Sequence, residues 1–121
     1  ESRIREILIG ASLERVTYAI TYWELVFLAR HDVTLMAVEI LLPDQKSPEE
    51  ESAQAAKVGS LLLRLINKSR VAAVDIQTNG DAIVSFSTGD SIRLLAQVPS
   101  VDWTWSIESE DFRFVCDGAL E

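Results

Sequence analysis

The sequence has few of the residues that most metal and catalytic sites require. One cysteine, Cys116, and one histidine, His31, occur among 121 residues. An intrachain disulfide is therefore impossible, and the chain alone lacks the four Cys or His ligands of a structural zinc site. The five glycines are isolated and open no helix, which argues against a phosphate-binding loop, and no segment has the pattern of a calcium loop. We expect no metal site and no cofactor.

Long hydrophobic runs are also missing. The longest ones, such as residues 71–74, fall far below the roughly 18 residues of a membrane-spanning helix, and no signal-peptide pattern is visible. A composition of 48% hydrophobic and 25% charged residues is typical of one folded domain over residues 1–121, which we expect to be cytoplasmic. The chain does not begin with Met. Residues 120–121, Leu-Glu, are typical of a dipeptide left before a tag, so we expect them to have no function.

The inventory also disfavours nucleophilic catalysis. Any Ser-His-Asp or Cys-His arrangement would depend on His31, which precedes Asp32 in a predicted turn where solvent surrounds it. Cys116 alternates with Phe112 and Phe114 and is predicted to lie in the core. We expect no enzyme, although a site built on a pair of carboxylates remains an alternative. Glu24 and Glu39 have apolar neighbours, but period two places both on exposed strand faces.

Hydrophobic periodicity predicts an α+β fold with antiparallel strands. Residues 1–41 read as a short helix followed by three strands, the third over residues 33–41, and residues 71–117 read as five strands. We therefore expect an antiparallel sheet of about seven to eight strands with a short N-terminal helix and one long central helix. Residues 47–68 predict the central helix, with a capping box in Ser47-Pro48-Glu49-Glu50 that starts it near residue 48.

Turn signals and a weak internal similarity refine this fold. Asn79-Gly80 is a strong hairpin signal, since both residues tolerate positive φ in a two-residue turn. When the sequence is shifted by 58 residues, its first half aligns with its second half, so that Val16 aligns with Val74 and Asp32 with Asp90. This pattern predicts two α-β-β-β units, and it places Thr21-Tyr22 in the turn that corresponds to Asn79-Gly80.

Negative charge is concentrated in the second half of the chain. Residues 1–70 hold 10 acidic and 9 basic side chains, a net charge of −1, whereas residues 71–121 hold 9 and 2, a net charge of −7. Such a field repels nucleic acid and anionic membranes and attracts a basic partner. Seven of these carboxylates are predicted on outward strand faces or in turns, where they would share one surface: Asp75, Asp81, Asp90, Asp102, Glu108, Glu110 and Asp111. The alternative is that they only keep the protein soluble.

Aromatic residues suggest a second contact surface. Trp103 and Trp105 share an apolar face and are predicted in the core, whereas Trp23, close to a turn, is the better candidate for an exposed anchor in an interface. The first hairpin, residues 18–28, is apolar on both predicted faces. A homodimer through this hairpin, or a small-ligand pocket lined by it, is therefore the alternative to an acidic binding surface.

In size, in its acid-rich strands from Asp75 to Asp111 and in its lack of catalytic residues, the chain resembles small bacterial immunity proteins of the contact-dependent inhibition type. It also resembles uncharacterised bacterial sheet domains with strand–turn–strand units such as AIVSFSTGDSIRLL at residues 82–95. The first resemblance implies an inhibitor that binds a basic toxin domain, often a nuclease, and occludes its active site or an adjacent surface. The seven carboxylates and Trp23 would then form the partner-binding site.

Overall fold

The computed structural model describes residues 2–98 and 103–116 and confirms the α+β class with antiparallel sheets. In the described part of the chain, nine strands form two sheets, whereas seven to eight strands were expected. The elements in chain order are α1 (Ser2–Leu8), β1 (Ser12–Ala19), β2 (Tyr22–Leu28), β3 (Asp32–Ala37), β4 (Ile40–Leu41), α2 (Glu51–Leu65), β5 (Val71–Ile76), β6 (Ala82–Phe86), β7 (Ser91–Leu94), β8 (Trp105–Ser109) and β9 (Phe112–Cys116).

Each sheet combines strands from both halves of the chain. The five-stranded sheet has the order β1-β2-β3-β8-β9, and the four-stranded sheet has the order β4-β7-β6-β5. A helix and three consecutive antiparallel strands therefore occur in each half, α1-β1-β2-β3 and α2-β5-β6-β7. The third strand of each series then pairs with a strand from the other half of the chain: β3 pairs with β8, and β7 pairs with β4. This exchange ties the two halves into one domain.

The predicted third strand, residues 33–41, is in fact two strands that belong to different sheets. Ala37 pairs with Trp105 of β8, whereas Ile40 pairs with Leu94 of β7. Val38 and Glu39 form the joint between them, where the Val38 amide donates to Thr104 and the Glu39 carbonyl accepts from Leu95. The alternation of buried residues is interrupted at this joint, since Val38 and Glu39 are both half-buried and Ile40 and Leu41 are both buried.

The core lies between the two sheets and the helices. Phe27 of β2 stacks on Phe86 of β6 with ring centroids 6.5 Å apart. Trp105 is the largest fully buried side chain, and its indole nitrogen donates to the Gly80 carbonyl at 3.0 Å. Cys116 is buried as predicted, whereas Thr104 and Ser106, which alternation places outside, are buried as well. Thr104 satisfies its hydroxyl on the carbonyls of Ala96 and Cys116, which makes this burial tolerable.

The long helix begins later than the capping box predicts. Glu50 is its N-cap, and the Glu50 carboxylate accepts hydrogen bonds from the amides of Ser52 and Ala53. The displacement has a physical cause in Gln54, which is 3% exposed and pairs its amide with that of Gln45. Gln54 also accepts from the Glu49 amide and donates to the Ile40 carbonyl. These bonds hold the segment before α2 out of the helix and against β4.

Both predicted hairpins are present, but one turn differs from the prediction in type and the other in position. Between β5 and β6, the Gln77 carbonyl accepts from Gly80, and Gly80 alone has positive φ, so the loop is a three-residue turn ending in a left-handed glycine. The first hairpin turns at Ile20-Thr21, one residue before the predicted position, since Ala19 pairs with Tyr22. Ile20 has a φ of 58° and is 83% exposed, a strained conformation for a β-branched residue.

Candidate functional site

The structure does not bring the predicted acidic residues together on neighbouring strands. Asp75 lies on β5, and Asp81 and Asp90 lie beside the hairpins of the four-stranded sheet. Glu108 lies on β8 in the five-stranded sheet, with Glu110 and Asp111 in the turn that follows it. Asp102 lies outside the described residues. β8 and β9 belong to the five-stranded sheet and β5 to β7 belong to the four-stranded one, so the described acidic residues do not lie on the face of one sheet.

Asp81 is a structural residue and not an exposed one. It is 6% exposed, and its carboxylate accepts from the Ala96 amide at 2.7 Å and from Arg93 at 3.3 Å. The Asn79 side chain in turn accepts from the Asp81 amide at 3.0 Å. Asp81 thus fastens the β5–β6 loop to the chain after β7, and it cannot contact a partner protein.

Most of the other predicted acidic residues have local partners. Glu110 lies 3.3 Å from the His31 imidazole, and Asp111 forms an exposed ion pair with Arg3 at 3.2 Å. Asp75 accepts from Gln77, and Asp90 accepts from the Thr88 hydroxyl. Glu108 is exposed and stands opposite Arg113 in the β8–β9 register. Among these contacts, the ion pair of Asp111 with Arg3 places a positive charge beside a carboxylate and reduces the negative field there.

The prediction of Trp23 as an exposed anchor is wrong. Trp23 is 5% exposed, and its ring lies 4.5 Å from that of Tyr18 at an interplanar angle of 39°. The far edge of its indole faces Gly59 of α2, where a β-carbon would lie 3.6 Å away. Trp23 lies on the inner face of β2 with Leu25 and Phe27, which are also buried, and α2 covers that face.

Trp23 and Tyr18 form one wall of a cleft of about 260 Å³ at the amino end of α2. The cleft lies between the end of the first hairpin, the β3–β4 joint and the first turns of α2. Its lining residues come from these three places and from the segment before the helix: Tyr18, Thr21, Trp23, Val38, Glu39, Glu49, Glu51, Gln54 and Ala55. Three carboxylates and an aromatic pair therefore face one concave surface.

Electrostatic interactions connect three of these residues. Burial and the nearby Glu51 carboxylate raise the pKa of Glu39 above its ordinary value of 4.5. Burial, followed by the charges of Glu51 and Glu39, also raises the pKa of the Tyr18 hydroxyl. Each of the three groups thus disfavours further negative charge in the cleft, and a bound cation would relieve this repulsion.

The charges of Glu39 and Glu51 are not compensated within the described residues. Glu49 forms an ion pair with Lys57, and Glu50 uses its carboxylate to cap the helix. Neither Glu39 nor Glu51 has a hydrogen-bond or ion-pair partner in this part of the chain. The helix terminus contributes only about half a positive charge, which Glu50 already offsets. The cleft therefore has a net negative field.

A metal ion is a poor match for this field. In the described part of the chain, no three Asp, Glu, His or Cys side chains are arranged to hold one. The carboxylates instead line the walls of a cleft that also has aromatic and amide surfaces. An organic cation can use all of these surfaces, because aromatic faces attract a cation while carboxylates accept its hydrogen bonds.

The sequence contains an indication that Glu39 is buried, but the alternation expected of a strand predicts the opposite. Its apolar neighbours Val38 and Ile40 indicate burial, but alternation assigns Glu39 to the exposed face of a continuous strand. The strand is broken at this position, so Glu39 is half-buried and faces the cleft. Glu51 looks like an ordinary acidic residue in the first turn of a helix, and only tertiary structure reveals its position.

The apolar first hairpin has one covered and one open face. Its inner side chains belong to the core, whereas the outer face of β1 and β2 includes Arg15, Thr17 and Glu24 beside Val26. Within residues 18–28 this outer face carries the polar Glu24 beside Val26, which is buried. A homodimer through this hairpin stays a prediction.

Comparisons with known proteins identify no relative. No family model matches the chain, and neither the curated proteins nor the solved structures yield a significant match. Among the described helices, none is both long and apolar enough to cross a membrane. The chemistry of the cleft is therefore the main basis for a functional proposal.

Proposed function

We propose that this protein acts by binding a basic protein partner, as an immunity protein that neutralises a basic toxin would, and not by catalysis. The observation that carries the proposal is the uncompensated carboxylate pair of Glu39 and Glu51 in the cleft. A basic side chain or terminus placed there would gain two charge-assisted interactions and relieve the repulsion between them. We thus assign the partner-binding site to the amino end of α2, whereas the sequence predicted it on the C-terminal strands.

The overall charge of the protein also favours a basic partner. A net charge of −8 attracts basic proteins over distances of about a Debye length and accelerates their association. The exposed carboxylates Asp75, Glu108, Glu110 and Asp111 contribute to this long-range field. We assign them to steering, because most have local partners, and we assign the short-range contact to the cleft.

Two charge-matched double variants test this assignment. Binding of acetylated hexalysine is measured by calorimetry at low and at moderate salt. In the cleft, Glu39→Gln with Glu51→Gln should weaken binding by roughly tenfold or more, since each charged hydrogen bond contributes about 1.5–3 kcal/mol. On the strands, Asp75→Asn with Glu108→Gln makes the same change in net charge and should alter affinity less than about threefold.

Equal losses in the two double variants would place recognition in the overall charge and contradict the cleft as the contact. If the unaltered protein fails to bind acetylated hexalysine even at low salt, recognition of a basic chain is itself wrong. Circular dichroism of each variant serves as the control for folding.

A further inference from the structure

The indole of Trp23 has an unused hydrogen-bond donor in an almost fully buried side chain. Trp23 lines the cleft at 5% exposure, yet its Nε1 donates to no acceptor among the described residues. Every fully buried side-chain nitrogen or oxygen in this part of the chain has a hydrogen-bond partner, so Nε1 must reach space that solvent can enter. Buried tryptophans usually satisfy this donor, as Trp105 does on the Gly80 carbonyl.

Trp23 lines the cleft together with residues whose acceptors are also available. The acceptors are the carboxylates of Glu39 and Glu51 and the hydroxyl of Tyr18, which come from the β3–β4 joint, α2 and β1. Three acceptors on three different elements suit the three N–H donors of an ammonium group. A guanidinium group has five donors and no acceptor, so it would leave the indole N–H of Trp23 unused.

A lysine side chain would satisfy the acceptors and leave the donor unused. Its ammonium group ends an aliphatic stem, so no oxygen lies beside the charge. A peptide amino terminus differs, because its first carbonyl oxygen is only a few bonds from the ammonium nitrogen. Such a ligand presents a cation and an acceptor together, and the cleft presents two carboxylates and an indole N–H together.

We infer that the cleft binds the free amino terminus of a peptide chain, with Glu39 and Glu51 accepting from the α-ammonium group and Trp23 Nε1 donating to the first carbonyl oxygen. The inference rests on the proposed function, in that it specifies which cationic group of a protein partner enters the same cleft. Tyr18 provides a further acceptor and an aromatic wall. Val38 and Ala55 line the same cleft and offer apolar surface to the first side chain of the ligand.

Three small probes separate this ligand from other amines. Tetraglycine has the free terminus, N-acetyltetraglycine lacks the charge, and Nα-acetyllysine amide has a charge on a side chain only. We expect tetraglycine to bind about tenfold or more tightly than either other probe in calorimetric titrations, because each of them loses a charge-assisted or an indole hydrogen bond. The affinity for tetraglycine should also fall above about pH 8, where an α-amino group loses its proton.

The indole N–H resonance of Trp23 gives a second readout that does not depend on a variant. Tetraglycine should shift this resonance at saturation, while the resonance of Trp105, whose indole already donates to Gly80, should stay in place. Trp23→Phe should weaken tetraglycine binding by about three- to tenfold through loss of one hydrogen bond, and Asp75→Asn should leave it unchanged. The indole resonance still tests the inference if Trp23→Phe does not fold.

The possible failures are distinguishable. If Nα-acetyllysine amide binds as tightly as tetraglycine, or the Trp23 resonance does not move, the amino-terminal ligand is wrong while the cleft remains a cation site. If no probe binds, and acetylated hexalysine does not bind either, both the inference and the proposed function are wrong.

Discussion

The carboxylates after Gly80 and the carboxylates around the amino end of α2 have different neighbours. Asp81 is buried against the Ala96 amide and Arg93, and Glu110 and Asp111 pair with His31 and Arg3. In the cleft, by contrast, the charge of Glu39 lies beside another carboxylate and has no basic partner among the described residues. Asp81, Glu110 and Asp111 thus each have a partner beside them, whereas Glu39 and Glu51, from the half of the chain with almost no net charge, have none among the described residues.

This difference shows why a count of charges along the sequence does not locate a binding surface. Coulomb energy depends on the distance between particular groups and on the solvent around them, and both are set by the packing of elements. Two carboxylates that share a cleft create a stronger local field than several carboxylates that each have a partner. Variants in the two regions can sharpen or contradict this comparison.

The largest expected effect on stability is at Asp81. Asp81→Asn should lower the free energy of unfolding by about 2–4 kcal/mol, because it weakens a buried hydrogen bond to Ala96 and leaves Arg93 without its anion. Urea denaturation measures this loss. Asp75→Asn is the matched control on the same sheet and should change the free energy by less than about 0.5 kcal/mol. A loss below about 1 kcal/mol at Asp81 would contradict its structural role.

The next effect is expected at Gln54, which holds one wall of the cleft. Gln54→Leu keeps the volume of the side chain but leaves the Ile40 carbonyl and the Glu49 amide without partners, at a cost of about 1–3 kcal/mol. Amide hydrogen exchange should also quicken in the segment that Gln54 holds, residues 42–50. Gln97 is exposed, so Gln97→Leu is the control. It should change neither the free energy of unfolding nor the amide exchange of residues 42–50. Unchanged exchange in Gln54→Leu would show that the wall is held in another way.

A smaller effect of opposite sign is expected at Glu39. Because its pKa in the folded protein is raised above 4.5, folding gains stability from Glu39 below pH 4.5 and loses it as the pH rises through the raised pKa. Glu39→Gln should therefore increase stability at pH 7 by less than about 1 kcal/mol, since the side chain is only half-buried. The increase should vanish near pH 4, as thermal unfolding across this pH range can show. A Glu39→Gln variant less stable than the original protein at pH 7 would mean that an anion is favoured in the cleft.

The smallest effect is expected at the exposed pair of Glu110 and His31. Glu110→Gln removes the carboxylate from a contact whose side chains are 70% and 62% exposed, and even fully charged pairs with such exposure contribute about 0.5 kcal/mol or less. Thermal unfolding at low and at high salt should give nearly the same result for this variant and the original protein. A loss above about 1 kcal/mol would show that the C-terminal carboxylates depend on their partners more than their exposure indicates.

Local signals accounted for most of the elements but not for the site. The alternation in residues 71–76 and 105–116 predicts β5, β8 and β9, although their buried positions are less regular than the sequence pattern, with a bulge between Val71 and Ala73 and a buried Ser106. The same alternation failed at Val38 and Glu39, where the chain passes from one sheet to the other. The capping box failed for a related reason, since the long-range bonds of Gln54 outweighed the local preference of Ser47 to cap the helix.

Composition and periodicity by themselves determined the α+β class, the antiparallel strands, the long helix and the excess of negative charge, because these depend on neighbours within a few residues. Tertiary structure alone decided that the strands form two sheets, that Asp81 is buried, and that Trp23 is covered by α2. It also placed Tyr18, Trp23, Glu39 and Glu51 around one cleft. Residues 18 and 51 meet there through the packing of the first hairpin against α2, and their contact depends on the burial of apolar surface across the whole domain.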